Sequence, residues 1–138
     1  GSSVSQELTL QIRDQISQHP ARNDIVWRNE YISEESVGEI FIESDLLVLP
    51  YRHIDQSGVL FQALRYGLPM LASDVGAFPA YINSTCGKIC QPNDIASLTA
   101  GLTDMLSGLE MYSRLDIRNE SLKYEWPTII YSTILKLY

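Results

Sequence analysis

The segment Gln56-Ser57-Gly58-Val59 places small residues at the expected start of a helix, just after an apolar run and a short loop. The first N–H groups of a helix have no partner inside it, and the helix dipole adds about half a positive charge there. Gly58 has no side chain to hold a ligand away. We therefore expect the amides of Gly58 and Val59 to accept a diphosphate oxygen. The simpler alternative is that Ser57 only caps the helix.

Two further polar side chains lie near this segment in the sequence. Arg52 is the only lysine or arginine between Arg28 and Arg65, so any cation that this stretch contributes must be Arg52. Gln62 lies about one helical turn beyond Ser57, and its amide can donate to and accept from a sugar hydroxyl. The alternatives left open are that Arg52 is solvated surface and that Gln62 faces water.

The cysteines and histidines show no metal-binding pattern. Cys86 and Cys90 are four residues apart, which is not the spacing of a zinc or redox pair, and His19 and His53 are isolated. We expect two reduced thiols and no metal site.

Apolar periodicity predicts the elements that position these residues. Ser33 and Asn93 are the expected N-caps of two helices, and Gly67 is the expected end of the helix that Gly58 begins. The predicted helices cover 5–18, 34–43, 58–66, 94–106, 111–119 and 126–137, with a short turn of helix near 79–82, and the predicted strands cover 24–27, 46–49, 69–73 and 87–91.

This alternation of strands and helices predicts an α/β fold with a mainly parallel sheet. The strand at 46–49 is apolar on every residue, which is typical of a strand buried on both faces. Ligands of such sheets lie beyond the carboxyl ends of the strands. We expect the loops 29–32, 51–57 and 74–79 to share that edge.

Composition limits the classes of function. The chain has 138 residues, of which 45% are hydrophobic and 20% charged, so we predict one globular domain over residues 1–138. A net charge of −7 argues against nucleic acid as the main partner. The longest apolar runs are too short to cross a bilayer.

The stretch "SDLLVLPYRHIDQSGVLFQALRYGLPMLASDVG" at 44–76 resembles the donor-binding half of retaining glycosyltransferases of the GT-B fold. "GKICQPND" at 87–94 and "YEWPTIIYSTILKLY" at 124–138 resemble later parts of the same family, so the resemblance runs from about residue 25 to the end. It implies a Rossmann-like three-layer domain with a mainly parallel sheet, the C-terminal half of a GT-B fold. It also implies that the first strands, with their basic loop, and the acceptor domain lie outside this chain.

The resemblance implies a role for each matching position. Gln62 stands where the family has a glutamate that receives the ribose hydroxyls. Asp55 is a candidate contact of the donor sugar, although the family's spacing of seven residues before Gln62 falls on Ile54. The donor-binding set is Ser57, Gly58, Val59, Gln62, Arg52 and Gln56, with Tyr31 and Ile32 near the base.

The implied function is retaining transfer of a sugar from a nucleotide-diphospho-sugar, with UDP favoured, to a saccharide or lipid-linked acceptor in bacterial surface polysaccharide (O-antigen) synthesis. No cofactor or metal is expected, and the chain alone is expected to be inactive. The implied location is cytoplasmic, peripheral on the inner face of the membrane through the missing half.

Two alternatives remain open. A receiver-like signalling module would need an acidic phospho-acceptor at the end of its central strand. We predict that strand at 46–49, and the residues that follow it are Pro50 and Tyr51, neither of which is acidic. A sugar-nucleotide epimerase of the same fold would need a carboxylate and histidine cluster that the sequence does not show.

Overall fold

The computed structural model describes residues 6–54 and 57–124. Contacts divide the chain into two units, residues 1–37 and 38–138. Short 3-10 helices cover Arg22–Asp24, Leu109–Met111 and Leu122–Tyr124. The helices are α1 (Gln6–Gln18), α2 (Glu34–Glu43), α3 (Gly58–Tyr66), α4 (Phe78–Tyr81), α5 (Ile95–Ser107) and α6 (Arg114–Ser121), and the strands are β1 (Leu47–Leu49), β2 (Met70–Ser73) and β3 (Gly87–Cys90).

The first unit differs from the sequence prediction in one element. The strand predicted at 24–27 is wrong: a 3-10 helix ends at Asp24, and the residues after it form no strand. Val26 is 80% exposed, so this apolar run is not buried as a sheet strand would be. Trp27 instead lies under the guanidinium of Arg13 of α1, 5.6 Å from the ring centroid.

The second unit is built on a parallel sheet with strand order β1-β2-β3. β2 is central, pairing Leu71 with Val48 on one side and with Lys88 on the other. β1 lies at an edge of the described sheet, and its Leu47 and Val48 are only partly buried. In the described sheet, β1 is therefore not the central strand that the sequence predicts, and it is buried less completely than its apolar sequence predicts.

Helices and loops cover both faces of the central strand. Leu71 packs with Cys90 of β3 and Met105 of α5 in one apolar cluster. Because successive strand residues point to opposite faces, Met70 and Ala72 face the other way, and both are fully buried. This arrangement confirms the expected α/β fold with layers on both sides of a parallel sheet.

Several predicted boundaries shift by a few residues. The helix expected at 94–106 begins at Ile95, and Asp94, not Asn93, is its N-cap, accepting from the Ser97 amide at 2.9 Å. Asn93 instead takes a left-handed backbone conformation in the turn before the helix, with φ of 58°. The helix expected at 111–119 begins at Arg114, and the one expected at 126–137 lies outside the described residues. No helix among residues 6–54 and 57–124 is long and apolar enough to cross a membrane.

Arg114, at the start of α6, joins the ends of two other helices. Its guanidinium donates to the carbonyl oxygens of Phe41 at 3.4 Å and Tyr66 at 3.5 Å, and also to that of Ser44. These carbonyls belong to the C-terminal ends of α2 and α3, where the last carbonyls lack a partner within the helix. α2 has no basic residue in its own last turn, so Arg114 supplies the positive charge that its C-terminus favours.

Replacing this arginine should destabilise the fold. We expect Arg114→Ala to lower the free energy of unfolding by about 2 kcal/mol, because carbonyls of two helices lose a charged donor. The matched control is Arg118→Ala, an exposed position one turn further along the same helix. Urea unfolding of both variants checks this, and equal stabilities would contradict the role given to Arg114.

Glu120 connects α6 to the turn before β3. Its carboxylate accepts from Lys123 Nζ at 2.7 Å and from Asn83 Nδ2 at 3.1 Å. The hydrogen bond from Lys123 is the main cause that lowers the pKa of the Glu120 carboxyl, with a smaller contribution from Asn83. A lowered folded-state pKa means that ionised Glu120 stabilises the fold above its unfolded-state pKa, and that this stability is lost as the pH falls through the folded-state value.

Glu120→Gln should therefore have an effect that depends on pH. The glutamine keeps an acceptor for Asn83 and removes the charge, so the variant should be less stable than the parent chain at pH 7. The difference should shrink as the pH falls below the ordinary pKa of glutamate, about 4.3, and through the lowered folded-state pKa. Urea unfolding at a series of pH values measures it, and a difference that is constant with pH would contradict this assignment.

Candidate functional site

α3 begins without a side-chain cap. Ser57 is its N-cap residue and is buried, with 8% of its surface exposed. Its hydroxyl nevertheless makes no capping hydrogen bond. The Leu60 amide donates to the Ser57 carbonyl at 3.2 Å. The amides of Gly58 and Val59 donate to no acceptor in the described part of the chain. The alternative that Ser57 serves only as a side-chain cap is therefore wrong.

The other long helices with a described start are capped by side chains. Ser33 accepts from the Ser36 amide at 3.3 Å at the start of α2, and Ser113 accepts from the Asp116 amide at 3.3 Å at the start of α6. Asp94 does the same for α5. α3 thus departs from the pattern of this chain at the point where the sequence predicts an anion.

Gly58 faces open space. A Cβ atom added there would meet no atom within 4 Å, and the backbone of Gly58 is not left-handed, so neither packing nor conformation requires a glycine. Gln62 lies four residues further on and so shares this face of α3. It is exposed, while Leu60, Ala63 and Leu64 form the buried face. Gly58 and the Gln62 side chain therefore share one accessible side of the helix, next to the helix start.

The structure separates Arg52 from Ser57. Ser57 lines a cavity of about 140 Å³ between α3 and α4, together with Phe61 and Tyr81, whose rings are 5.0 Å apart. Arg52 lines a different cavity of about 370 Å³ beyond the carboxyl ends of the strands. Gln62 lines neither of these two cavities. The expectation that Arg52 assists the amides of α3 gains no support from this placement.

Asp55 and Gln56 are outside the described residues. Tyr31, 86% exposed, and Ile32, partly buried, belong to the first unit, in the segment before α2.

Sequence analysis missed the polar residues that follow β2 and β3. Ser73, Gln91, Asn93 and Asp94 line the same cavity as Arg52. The available signal was their position, since each stands at or just after the carboxyl end of an apolar strand, where open α/β sheets bind ligands.

Both cysteines are buried free thiols, as expected. Burial is the main cause that raises the pKa of the Cys86 thiol. No group of three or more histidine, cysteine, aspartate or glutamate side chains in residues 6–54 and 57–124 is arranged to hold a metal ion.

Two glycines of α3 should respond oppositely to substitution. Gly58→Ala should raise the free energy of unfolding by about 0.5 kcal/mol, because it restricts the unfolded chain and meets no atom. Gly67→Ala, at φ of 70° and against the Arg114 carbonyl oxygen, should lower it by at least about 2 kcal/mol. Urea unfolding compares them, and a destabilised Gly58→Ala would mean that Gly58 is needed for the fold and not kept open for a ligand.

Comparison with known proteins places the fold and the family. A family model described as "Glycosyl transferases group 1" matches residues 4–108, which is more than half of the 138 residues. The sucrose-phosphate synthase from Thermosynechococcus elongatus resembles this chain with a TM-score of 0.79 at 17% sequence identity. That match covers 100% of this chain and 38% of the synthase. A search of curated proteins finds no significant match.

The structural likeness to the synthase confirms the GT-B type of fold. The family match confirms the resemblance drawn from residues 44–76. The chain belongs to the group 1 glycosyl transferases.

Proposed function

We propose that this chain is the part of a glycosyltransferase that binds the nucleotide-diphospho-sugar donor, with a UDP-sugar favoured. The observation that carries the proposal is the start of α3, where the Gly58 and Val59 amides have no acceptor among residues 6–54 and 57–124 and the space beside Gly58 is open. In a group 1 glycosyl transferase, the anion that such a site serves is the donor diphosphate.

Main-chain amides are the proposed diphosphate contacts, and not Arg52. Arg52 lines the neighbouring cavity, so the charge of the diphosphate falls on the dipole of α3 and on its N–H groups. As the bond between the sugar and the diphosphate breaks, negative charge develops on the leaving group. Preorganised N–H donors stabilise that charge without reorganising, which is how this site would contribute to catalysis.

Gln62 is the proposed ribose contact. It lies on the Gly58 face of α3, is exposed, and its amide has no hydrogen-bond partner among the described residues. A glutamine keeps the hydrogen-bonding geometry of the family's glutamate but gives up the strength of a charged acceptor.

The other roles follow from the family resemblance and complete the proposal. Tyr31 and Ile32 would approach the base, and Asp55 and Gln56 would lie beside the donor sugar and the diphosphate. Transfer would retain the anomeric configuration, need no metal, and use a saccharide or lipid-linked acceptor held by an N-terminal domain. We place the reaction in polysaccharide synthesis at the cytoplasmic face of the membrane, and we expect the 138-residue chain alone to bind donor without transferring sugar.

Membership of the glycosyl transferases disfavours both alternatives. Neither a receiver-like module nor an epimerase would explain why a glycosyltransferase family model matches residues 4–108. The central strand β2 ends at Ser73, and no cluster of acidic groups around it in the described residues resembles a metal-assisted phosphorylation site.

A charge placed at Gly58 tests the diphosphate site. Gly58→Asp puts a carboxylate beside the free amides, where the helix dipole stabilises it and a diphosphate is repelled. The matched control, Gly58→Asn, has the same shape without the charge. By isothermal titration calorimetry at low salt, we expect Gly58→Asp to weaken UDP binding at least about tenfold more than Gly58→Asn does.

Uridine, which lacks the diphosphate, provides the ligand control. It should bind more weakly than UDP to the parent chain and about equally to both variants. Equal loss of UDP affinity in Gly58→Asp and Gly58→Asn, or UDP binding that neither substitution weakens, would overturn the placement of the diphosphate at α3.

A further inference from the structure

The cavity beyond the carboxyl ends of the strands is a separate feature that the donor site does not use. It has a volume of about 370 Å³ and is open to all three strand ends. Its polar lining consists of Arg52 after β1, Ser73 at the end of β2, and Gln91, Asn93 and Asp94 after β3. Pro50, Ile95 and Leu98 supply apolar wall.

The hydroxyl of Ser73 is the buried polar group of this cavity. Ser73 is only 3% exposed, and its side chain makes no hydrogen bond with any described residue. Every side-chain oxygen or nitrogen of the described residues that is fully sealed from solvent has a hydrogen-bond partner. Since the Ser73 hydroxyl has no such partner, it is not fully sealed. The Ser73 hydroxyl is therefore reachable through the cavity, and a buried hydroxyl without a protein partner calls for one from a ligand or water.

The loop after β3 is held rigidly around this hydroxyl. The Gln91 amide donates to Ser97 Oγ at 2.9 Å, and the Ser97 amide donates to Asp94 Oδ1 at 2.9 Å. The Asp74 amide donates to the Cys90 carbonyl at 2.8 Å and ties the ends of β2 and β3 together. These bonds use the main chain and leave the side-chain amides of Gln91 and Asn93 without a partner among the described residues.

The charges and the size of the cavity select a neutral ligand. Arg52 and Asp94 are its only ionisable lining groups besides the buried Cys90, and they have opposite charges; neither forms a salt bridge with another described residue. Asp94 would repel a phosphate, whose charge Arg52 alone would have to offset. The volume is at the lower end of the range for ligand sites, which suits one sugar ring better than a whole nucleotide-sugar.

We propose that this cavity binds a neutral saccharide unit, at a place distinct from the Gly58 and Val59 amides. The Ser73 hydroxyl and the Gln91 and Asn93 amides both donate and accept, as the hydroxyls of a pyranose require. Pro50, Ile95 and Leu98 meet the apolar side of the ring. The occupant is a saccharide separate from the donor, whose own sugar the proposed function places beside Asp55; this separation rests on the proposed function.

Titration of the ¹⁵N-labelled chain with methyl glycosides tests this inference. The probes are methyl α-glucoside, methyl α-mannoside and methyl β-N-acetylglucosaminide, with UDP and inorganic phosphate added separately. We expect at least one glycoside to shift the main-chain amide signals of Ser73, Gln91 and Asn93. Ser73→Ala should weaken that binding about fivefold, as the loss of one hydrogen bond predicts, and Gln91→Ala, which alters an exposed side chain, should weaken it similarly.

Lys88→Ala provides the matched control, since Lys88 lies on β3 near its opposite end and outside this cavity. It should leave glycoside binding unchanged. If glycoside and UDP-sugar bind together, the saccharide is separate from the donor, as proposed; if a UDP-sugar displaces the glycoside and UDP does not, the cavity holds the donor's own sugar, which contradicts the inference.

Three further results would overturn the inference. One is the absence of shifts at these amides with every glycoside. Another is shifts there with inorganic phosphate or UDP and not with glycosides, which would make the cavity an anion site. The third is binding that Ser73→Ala and Gln91→Ala leave unchanged. UDP binding that depends on Gly58 would stand in all three cases, so the donor proposal is judged separately.

Discussion

Two main-chain N–H groups at the start of α3 have no acceptor in the described part of the chain, and the proposed donor site depends on them. Gly58 and Val59 open α3, their amides donate to no described acceptor, and Ser57 does not cap them with its side chain. A helix start left in this state is unfavourable unless water or a ligand satisfies it, and three other helices of the same chain are capped by side chains. The exception coincides with the segment that resembles a glycosyltransferase donor site.

The buried face and the C-terminal end of α3 fix the position of that helix start. Leu60, Ala63 and Leu64 bury one face of α3, and Gly67 ends the helix in a left-handed conformation that lets the chain pass the Arg114 carbonyl. The Arg114 guanidinium then joins the ends of α2 and α3. The Arg114 contact lies at the C-terminal end of α3, and the N-terminal end lies at the same edge of the sheet as the strand-end cavity.

Local patterns were predictable from sequence, and relations between distant segments were not. The bounds of α2 and α3 follow from apolar spacing and from Gly67, and both agree with the structure. The strand predicted at 24–27 is absent and β1 is not central in the described sheet, because strand formation and burial depend on neighbours that a sequence does not reveal. Arg52 was assigned to the diphosphate by its proximity in sequence, and its place in another cavity is the reason that the proposal relies on main-chain amides.

Amide hydrogen exchange at Gly58 and Val59 tests the central claim most directly. In the chain without ligand, both amides should exchange at nearly the rate of an unstructured peptide, while the amides of Ala63 and Leu64 in the same helix are protected. Saturating UDP should slow exchange at Gly58 and Val59 by at least about tenfold, since a new acceptor then occupies them. Protection of these two amides before UDP is added, or exchange that saturating UDP leaves unchanged, would contradict the account.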